Sequence, residues 1–253
     1  MTRSAVLVLL LAGCSASGSA PDAGVPASVP PVSLAEVRPG VWVHTSWQRL
    51  APDVVFPANG LVLADGDGLL LVDSAWGEDN TVALLDSIDA QIGRPVRRAV
   101  VTHFHDDRVS GADVLRARGV DVYATPLTRR LARAEGNAVP EHALDGLAEP
   151  GAVVRFGSAD VLYPGAGHTA DNLVVHARGV VFGGCSIHEA SRTTAGNTAD
   201  ADLAEWPASL RRVRAAFPDA DLVVPGHGSV GRAALIEHSI RLVEIAAEEA
   251  LGG

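Results

Sequence analysis

Residues 97–107 read Arg97-Arg98-Ala99-Val100-Val101-Thr102-His103-Phe104-His105-Asp106-Asp107. A short apolar run, residues 98–102, ends abruptly in two imidazoles and two carboxylates. That pattern marks a buried strand delivering polar side chains at its end. His103 and His105 are two residues apart, so an extended chain points them the same way. A turn after them would aim Asp107 at a different place. Far along the chain, Cys185 offers a thiolate. Imidazole, carboxylate and thiolate together describe a borderline-soft divalent metal, zinc first, in two positions.

Strand and helix signals alternate around this stretch. Residues 61–64 and 69–73 flank Asp65-Gly66-Asp67-Gly68, a hairpin turn. Residues 81–92 carry Leu84, Leu85, Ile88 and Ile92 at helical spacing, and Gly93 with Pro95 stops them. Helices are expected over residues 111–118, 125–135, 207–217 and 232–250. Strands are expected over 120–124, 173–176, 180–183 and 221–224, the middle two joined by Arg178-Gly179. His168, Cys185 and His227 each follow a strand, in Gly167-His168-Thr169, Gly183-Gly184-Cys185 and Pro225-Gly226-His227-Gly228. A rigid sheet can aim loop side chains at one point. Ligand-type residues from both halves therefore suggest a two-part sandwich with the site along a shared edge. His44, His142, His176 and His238 lack partners at ligand spacing and read as structural or solvated.

With 47% hydrophobic and 20% charged residues the chain is globular. Its net charge of -10, with no basic stretch, excludes a nucleic-acid partner. The N-terminus reads as a processing segment. Arg3 precedes an apolar run, residues 5–11, too short to span a bilayer. It ends in Leu11-Ala12-Gly13-Cys14, which resembles the lipobox of a bacterial lipoprotein signal. Residues 1–13 are thus expected to be a signal peptide, Cys14 a lipidation site, and residues 14–33 a Ser/Ala/Gly/Pro-rich tether. Residues 34–253 are expected to be the catalytic domain. An ordinary secretory signal cut near residues 16–20 is the alternative. Either way the protein is expected to be exported to the periplasm, touching the membrane only through Cys14. With Cys14 so used, Cys185 is left without a disulfide partner; a metal-held thiolate gives it a reason to exist.

Longer runs carry a family resemblance: Asp73-Ser74-Ala75-Trp76-Gly77, Thr102-His103-Phe104-His105-Asp106-Asp107-Arg108, Ala134-Glu135-Gly136-Asn137, Asp171-Asn172-Leu173-Val174-Val175, Thr194-Ala195-Gly196-Asn197, and the run from Ala199 to Pro207. From about residue 37 onward the chain resembles class B metallo-β-lactamases of the first subclass, nearest the Verona-integron-encoded (VIM) type. The resemblance implies an α/β fold, the αβ/βα four-layer sandwich, with two mixed β-sheets and helices on both outer faces. It implies two Zn²⁺ ions, one held by His103, His105 and His168, the other by Asp107, Cys185 and His227. It makes Asp107 and Asn197 catalytic, Asp107 as a proton carrier and Asn197 as the amide that polarises the substrate carbonyl.

The loop after Cys185 has no Lys to steer a substrate carboxylate, so Arg192 ranks first for that task and His188 second. Phe56, in the segment 46–60 where the family has a substrate-covering loop, and Trp76 are implied to line the substrate site. Asp73 is expected to orient ligand-bearing backbone, and Arg108 to neutralise Asp106 and Asp107. The implied activity is opening of the β-lactam ring of penicillins, cephalosporins and carbapenems by a zinc-bound hydroxide, hence antibiotic resistance, in a monomer. Two alternatives remain. One is a thioester or lactone hydrolase of the same superfamily; Arg108 after Asp107, and Cys185 where those relatives place an Asp, speak against it. The other is a non-catalytic zinc-binding envelope lipoprotein.

Overall fold

Leu69-Leu70-Leu71-Val72 is buried on both faces, and its side chains alternate between two different cores. Leu70 and Val72 join the layer between two sheets, while Leu69 and Leu71 join the layer under a set of helices. Such a strand needs no polar alternation, because both faces are covered. The computed structural model describes residues 28–252. The expected signal peptide, Cys14 and most of the expected tether lie outside the described residues.

The first half contains β1 (Ser33–Arg38), β2 (Val41–Ala51), β3 (Val54–Asp65), β4 (Gly68–Val72), α1 (Glu78–Gln91), β5 (Val96–Val100), α2 (Asp106–Val109), α3 (Ala112–Ala117), β6 (Asp121–Ala124), α4 (Pro126–Ala134) and β7 (His142–Ala143). Its seven strands lie in sequence order, antiparallel up to β4 and parallel from β4 to β7. The second half contains β8 (Val153–Phe156), β9 (Ala159–Leu162), β10 (Val174–Ala177), β11 (Val180–Gly184), α5 (Trp206–Ala216), β12 (Leu222–Pro225) and α6 (Ala234–Gly252). Its five strands run in the order β12-β11-β10-β9-β8, parallel only between β11 and β12. Both sheets are mixed.

Three apolar layers result. Val41, Leu61 and Val72 meet Val175, Phe182 and Val224 between the sheets. Leu84 and Ile88 of α1 and Leu115 of α3 cover the outer face of the first sheet. Trp206, Leu210 and Val213 of α5, with Ile236 and Ile240 of α6, cover the second. This is the expected four-layer αβ/βα sandwich. Among the described residues no helix is long and apolar enough to cross a membrane.

Helices and strands fall close to their expected places, with two informative departures. Helix α1 begins at Glu78, earlier than apolar spacing implied, because Glu78 and Asp79 suit the positive end of a helix. The segment 46–60 is no irregular loop. It forms the distal ladder of the β2–β3 hairpin, with Ser46 opposite Ala58, Trp47 opposite Pro57 and Gln48 opposite Phe56. Val54, Val55 and Phe56 favour extended chain, while Pro57 and Asn59 hide the strand pattern from a reader of the sequence.

The two sheets are stitched where β3 meets the end of β12. Asn59 N–H donates to Gly226 O at 2.8 Å, and Asn59 Nδ2 donates to Pro225 O at 3.0 Å and Gly228 O at 2.8 Å. A Cβ on Gly226 would lie 2.6 Å from the Cys185 nitrogen and 2.7 Å from Arg108 Nη2, so no side chain fits there.

Candidate metal centre

β5 ends just before Val101 and Thr102, the chain bends over residues 103–105, and His105 (φ -66, ψ 153) leads into α2. That break decides the layout. His103 and His105 leave this bend with their rings 4.9 Å apart, while Asp107 departs from the first turn of α2 toward Cys185. Asp73, with φ 60, ends β4 and fixes the segment from behind: its carboxylate accepts from Thr102 N–H at 2.7 Å and Thr102 Oγ1 at 2.8 Å.

Asp107, Cys185 and His227 come together as expected. Cys185 Sγ lies 3.1 Å from His227 Nε2 and 3.3 Å from Asp107 Oδ2, and His227 Nε2 lies 3.2 Å from that same oxygen. Ligand bonds to a tetrahedral zinc would set donor atoms roughly 3.3–3.8 Å apart, only slightly wider than these separations. The rings of His103, His105 and His168 stand edge-on to one another, with centroids 4.9, 5.2 and 5.0 Å apart. His105 Nδ1 is 3.2 Å from His168 Nε2. The two groups adjoin: His103 also lies within ligand distance of Asp107 and of Cys185.

Each histidine keeps one nitrogen for the cluster. His227 Nδ1 donates to Pro57 O at 2.6 Å, so Nε2 faces Cys185. His105 Nε2 meets Asp200 Oδ2 at 3.0 Å, so Nδ1 faces His168. His103 is 1% exposed, and its Nε2 is buried with no hydrogen-bond partner. A buried nitrogen left bare costs free energy, and a metal ion would offset it. The outward partners fix tautomer and ring angle as metal-binding imidazoles require. The donor set therefore fits a metal such as zinc: Asp107, Cys185 and His227 form one group of ligand atoms, and His103 joins both His105 with Asp107 and His168 with Cys185.

Charge differs between the two groups in the metal-free cluster. Burial drives His103 well below the usual histidine range and His168 down to about 3, so both are neutral ligands at working pH. Burial would raise Asp107, but Arg108 and His227 outweigh it and hold the carboxyl well below the usual range. His227 is raised to about 10: burial opposes its charge, while Cys185 and Asp107 favour it more strongly.

Arg108 is 0% exposed. Its guanidinium donates to Asp107 Oδ2 at 2.9 Å, Cys185 Sγ at 3.1 Å, Gly226 O at 2.9 Å and Asn59 O, and lies 3.7 Å from Asp73. It serves Asp107 as expected but not Asp106, which accepts from Trp76 Nε1 at 3.1 Å.

Over the cluster lie two adjoining hollows of about 230 and 420 Å³. Phe56, His188, Arg192 and Asn197 line the first; Phe56 and Asn197 recur in the second, which Trp76 also lines. Arg192 sits over the Phe56 ring at 5.9 Å and makes no ion pair among the described residues. Its backbone carbonyl meets His238 Nε2 at 3.0 Å, giving that histidine a positioning task the sequence did not reveal. His188 is lowered to about 4, by burial first and Arg192 second, so it is neutral at pH 7 and a poor carboxylate anchor. Asp200 was also missed as a contact; His105, its partner, is 95 positions away and no local pattern links them.

His44 is buried opposite Gly60, and burial lowers it to about 4 from 6.5. A depressed histidine takes up its proton more readily in the unfolded chain. Stability from this group is therefore full above pH 6.5 and falls as pH drops toward 4, by about 1.4 kcal/mol per pH unit. In urea titrations of the metal-free protein, His44→Leu should flatten the stability curve between those values. An unchanged slope would remove His44 from the account.

Fold and site together define an αβ/βα sandwich that carries a candidate metal centre at the edge of its sheets. Residues 53–227 match the model of the "Metallo-beta-lactamase superfamily". The chain belongs to that superfamily. It is 36% identical over 217 residues to a "Metallo-beta-lactamase type 2" of Bacillus cereus, spanning 84% of this chain and 83% of that one. A "Metallo-beta-lactamase type 2" of Bacteroides fragilis is 32% identical over 215 residues, spanning 84% and 85%. Among solved structures, the metallo-β-lactamase FIM-1 from Pseudomonas aeruginosa, in a mono-zinc form, superposes with a TM-score of 0.83. It has 36% identity and covers 88% of this chain and 99% of its own.

Proposed function

We propose that this protein is a zinc-dependent β-lactam hydrolase of the first subclass, near the VIM type, acting on penicillins, cephalosporins and carbapenems. The observation that carries the reading is the pair of adjoining donor groups, each imidazole aimed inward, opening beneath a hollow that also holds Arg192 and Asn197. When bound, zinc held by His103, His105 and His168 and by Asp107, Cys185 and His227 supplies Lewis acidity to the attacking water and the carbonyl.

Hydrolysis adds water across the lactam amide. The water oxygen joins the carbonyl carbon, the C–N bond breaks, and a proton must reach the nitrogen. Asn197 Oδ1 accepts from Ala199 N–H at 3.1 Å, which leaves Nδ2 to donate to the carbonyl oxygen as its charge grows. Asp107 Oδ2 is engaged by Arg108, Cys185 and His227, whereas Oδ1 faces His103 at 3.9 Å without a hydrogen bond. Oδ1, the less engaged oxygen, would help relay the proton from the water to the departing nitrogen. Arg192 pairs with the substrate carboxylate, and Phe56 and Trp76 supply the apolar walls.

Arg192→Ala should raise KM for carboxylate-bearing β-lactams about tenfold with kcat little changed, as loss of uniform binding does. A fall in kcat at constant KM would sink the anchor role. The decisive assay is carbapenem hydrolysis by purified protein, stripped by a chelator and reloaded with zinc. Turnover that dies and returns with zinc supports the proposal. A zinc-loaded protein inert toward all three antibiotic classes overturns it; thioester or lactone turnover would then name the runner-up, and no turnover at all a zinc-binding lipoprotein.

Residues 34–253 form the catalytic unit of this proposal, working as a monomer. Residues 1–13 would direct export to the periplasm, with the lipid on Cys14 and residues 14–33 as the tether. Mass spectrometry of the membrane fraction tests this: a diacylglyceryl-sized addition that is lost in Cys14→Ser supports it, and a free soluble N-terminus overturns it.

A further inference from the structure

Between the start of α4 and residues 144–148 lies a cavity of about 300 Å³, at the small end of ligand-sized pockets. Leu127, Leu144, Leu147 and Tyr163 line it, and it shares no lining residue with the hollows over the metal centre. Asp171 also lines it. That residue is 1% exposed, and both carboxyl oxygens are buried without a hydrogen-bond partner.

The nearby hydroxyls have other partners at close range: Thr169 Oγ1 donates to Asn172 Oδ1 at 2.9 Å, and Thr128 Oγ1 pairs with Thr125 Oγ1 at 2.9 Å, either of the two donating. No arginine or lysine forms an ion pair with Asp171 among the described residues. Burial raises its pKa, with the Thr169 and Thr128 hydroxyls pulling the other way. At the exposed rim Asp145 and Arg130 offset each other, so the lone carboxyl sets the sign of the interior. An unpaired carboxylate in apolar surroundings is costly, and a cation with its own N–H donors removes the cost.

We propose that this cavity is a second ligand site, taking a small organic cation whose apolar body fills the Leu127–Leu144–Leu147 wall and whose ammonium pairs with Asp171. A neutral ligand of the same shape would leave the carboxyl unpaired. A flat surface anion site is the opposite of what these residues offer.

Benzylamine and its neutral counterpart benzyl alcohol are the probes, titrated into the full protein at neutral pH and followed by backbone amide shifts. The amine should bind roughly tenfold or more tightly than the alcohol, moving the amides of Leu127, Leu144 and Leu147. Asp171→Asn should erase the preference. Ala148→Trp, at the exposed rim, should block both probes without touching the core; it also decides the matter if Asp171→Asn does not fold. Equal affinity for the two probes, a preference that survives Asp171→Asn or Ala148→Trp, or shifts confined to residues around Cys185 would overturn the proposal.

Discussion

Cys185→Ala should leave a folded protein that holds one zinc per chain, against the two proposed for the parent. Its kcat should fall roughly 100-fold, about 2.7 kcal/mol of lost transition-state stabilisation. The thiol is 6% exposed and stands between Asp107, His227 and Arg108, so its removal unmakes one donor group and spares His105 and His168. The measurement is metal content by elemental analysis beside carbapenem turnover, with circular dichroism to show that the fold survives. Two zincs retained with parental turnover would mean that the ligand assignment is wrong.

Arg108→Met should be the most destabilising single change at the site, by about 3–5 kcal/mol, because it strands buried charge rather than removing a surface pair. Asp107 would lose the 2.9 Å contact that keeps it ionised, and the carbonyls of Gly226 and Asn59 would lose their donor. At this chain length the melting temperature should drop by roughly 10 °C. A loss below about 1 kcal/mol in urea unfolding would show that the guanidinium is dispensable. Arg108→Lys should recover part of the loss, since a point charge cannot reach all of these acceptors.

Much of this site was legible in the sequence because its donors sit in short strings that local rules govern. The x-His-x-His spacing gives two imidazoles on one side of an extended chain, and glycine-flanked His168, Cys185 and His227 follow recognisable strands. The structure brings all six into one place. What could not be read depends on contacts across the fold. Arg108 looks like a surface cation in a string of charges, yet it is enclosed because Asn59 and Gly226 approach from two different sheets. The 46–60 hairpin was opaque because proline and asparagine interrupt the strand pattern, although Pro57 is the residue whose carbonyl orients His227. Asp200 and His238 were silent for the same reason. The fold class was clear from alternation; which strand met which was not, since pairings such as β11 with β12 cross the intervening loop and α5.

The alternation of β4 between two cores bears on how the chain finds its register. Leu69-Leu70-Leu71-Val72 offers no polar face, so sliding the strand by one residue would exchange the two cores at little hydrophobic cost. Hydrophobicity alone cannot specify the pairing. The residue after the run does: Asp73 must meet both the Thr102 nitrogen and the Thr102 hydroxyl, and a one-step slip would bury its carboxylate unpaired. A polar stop at the end of a featureless strand thus serves as a folding checkpoint, admitting only the alignment in which His103 and His105 emerge at the right edge.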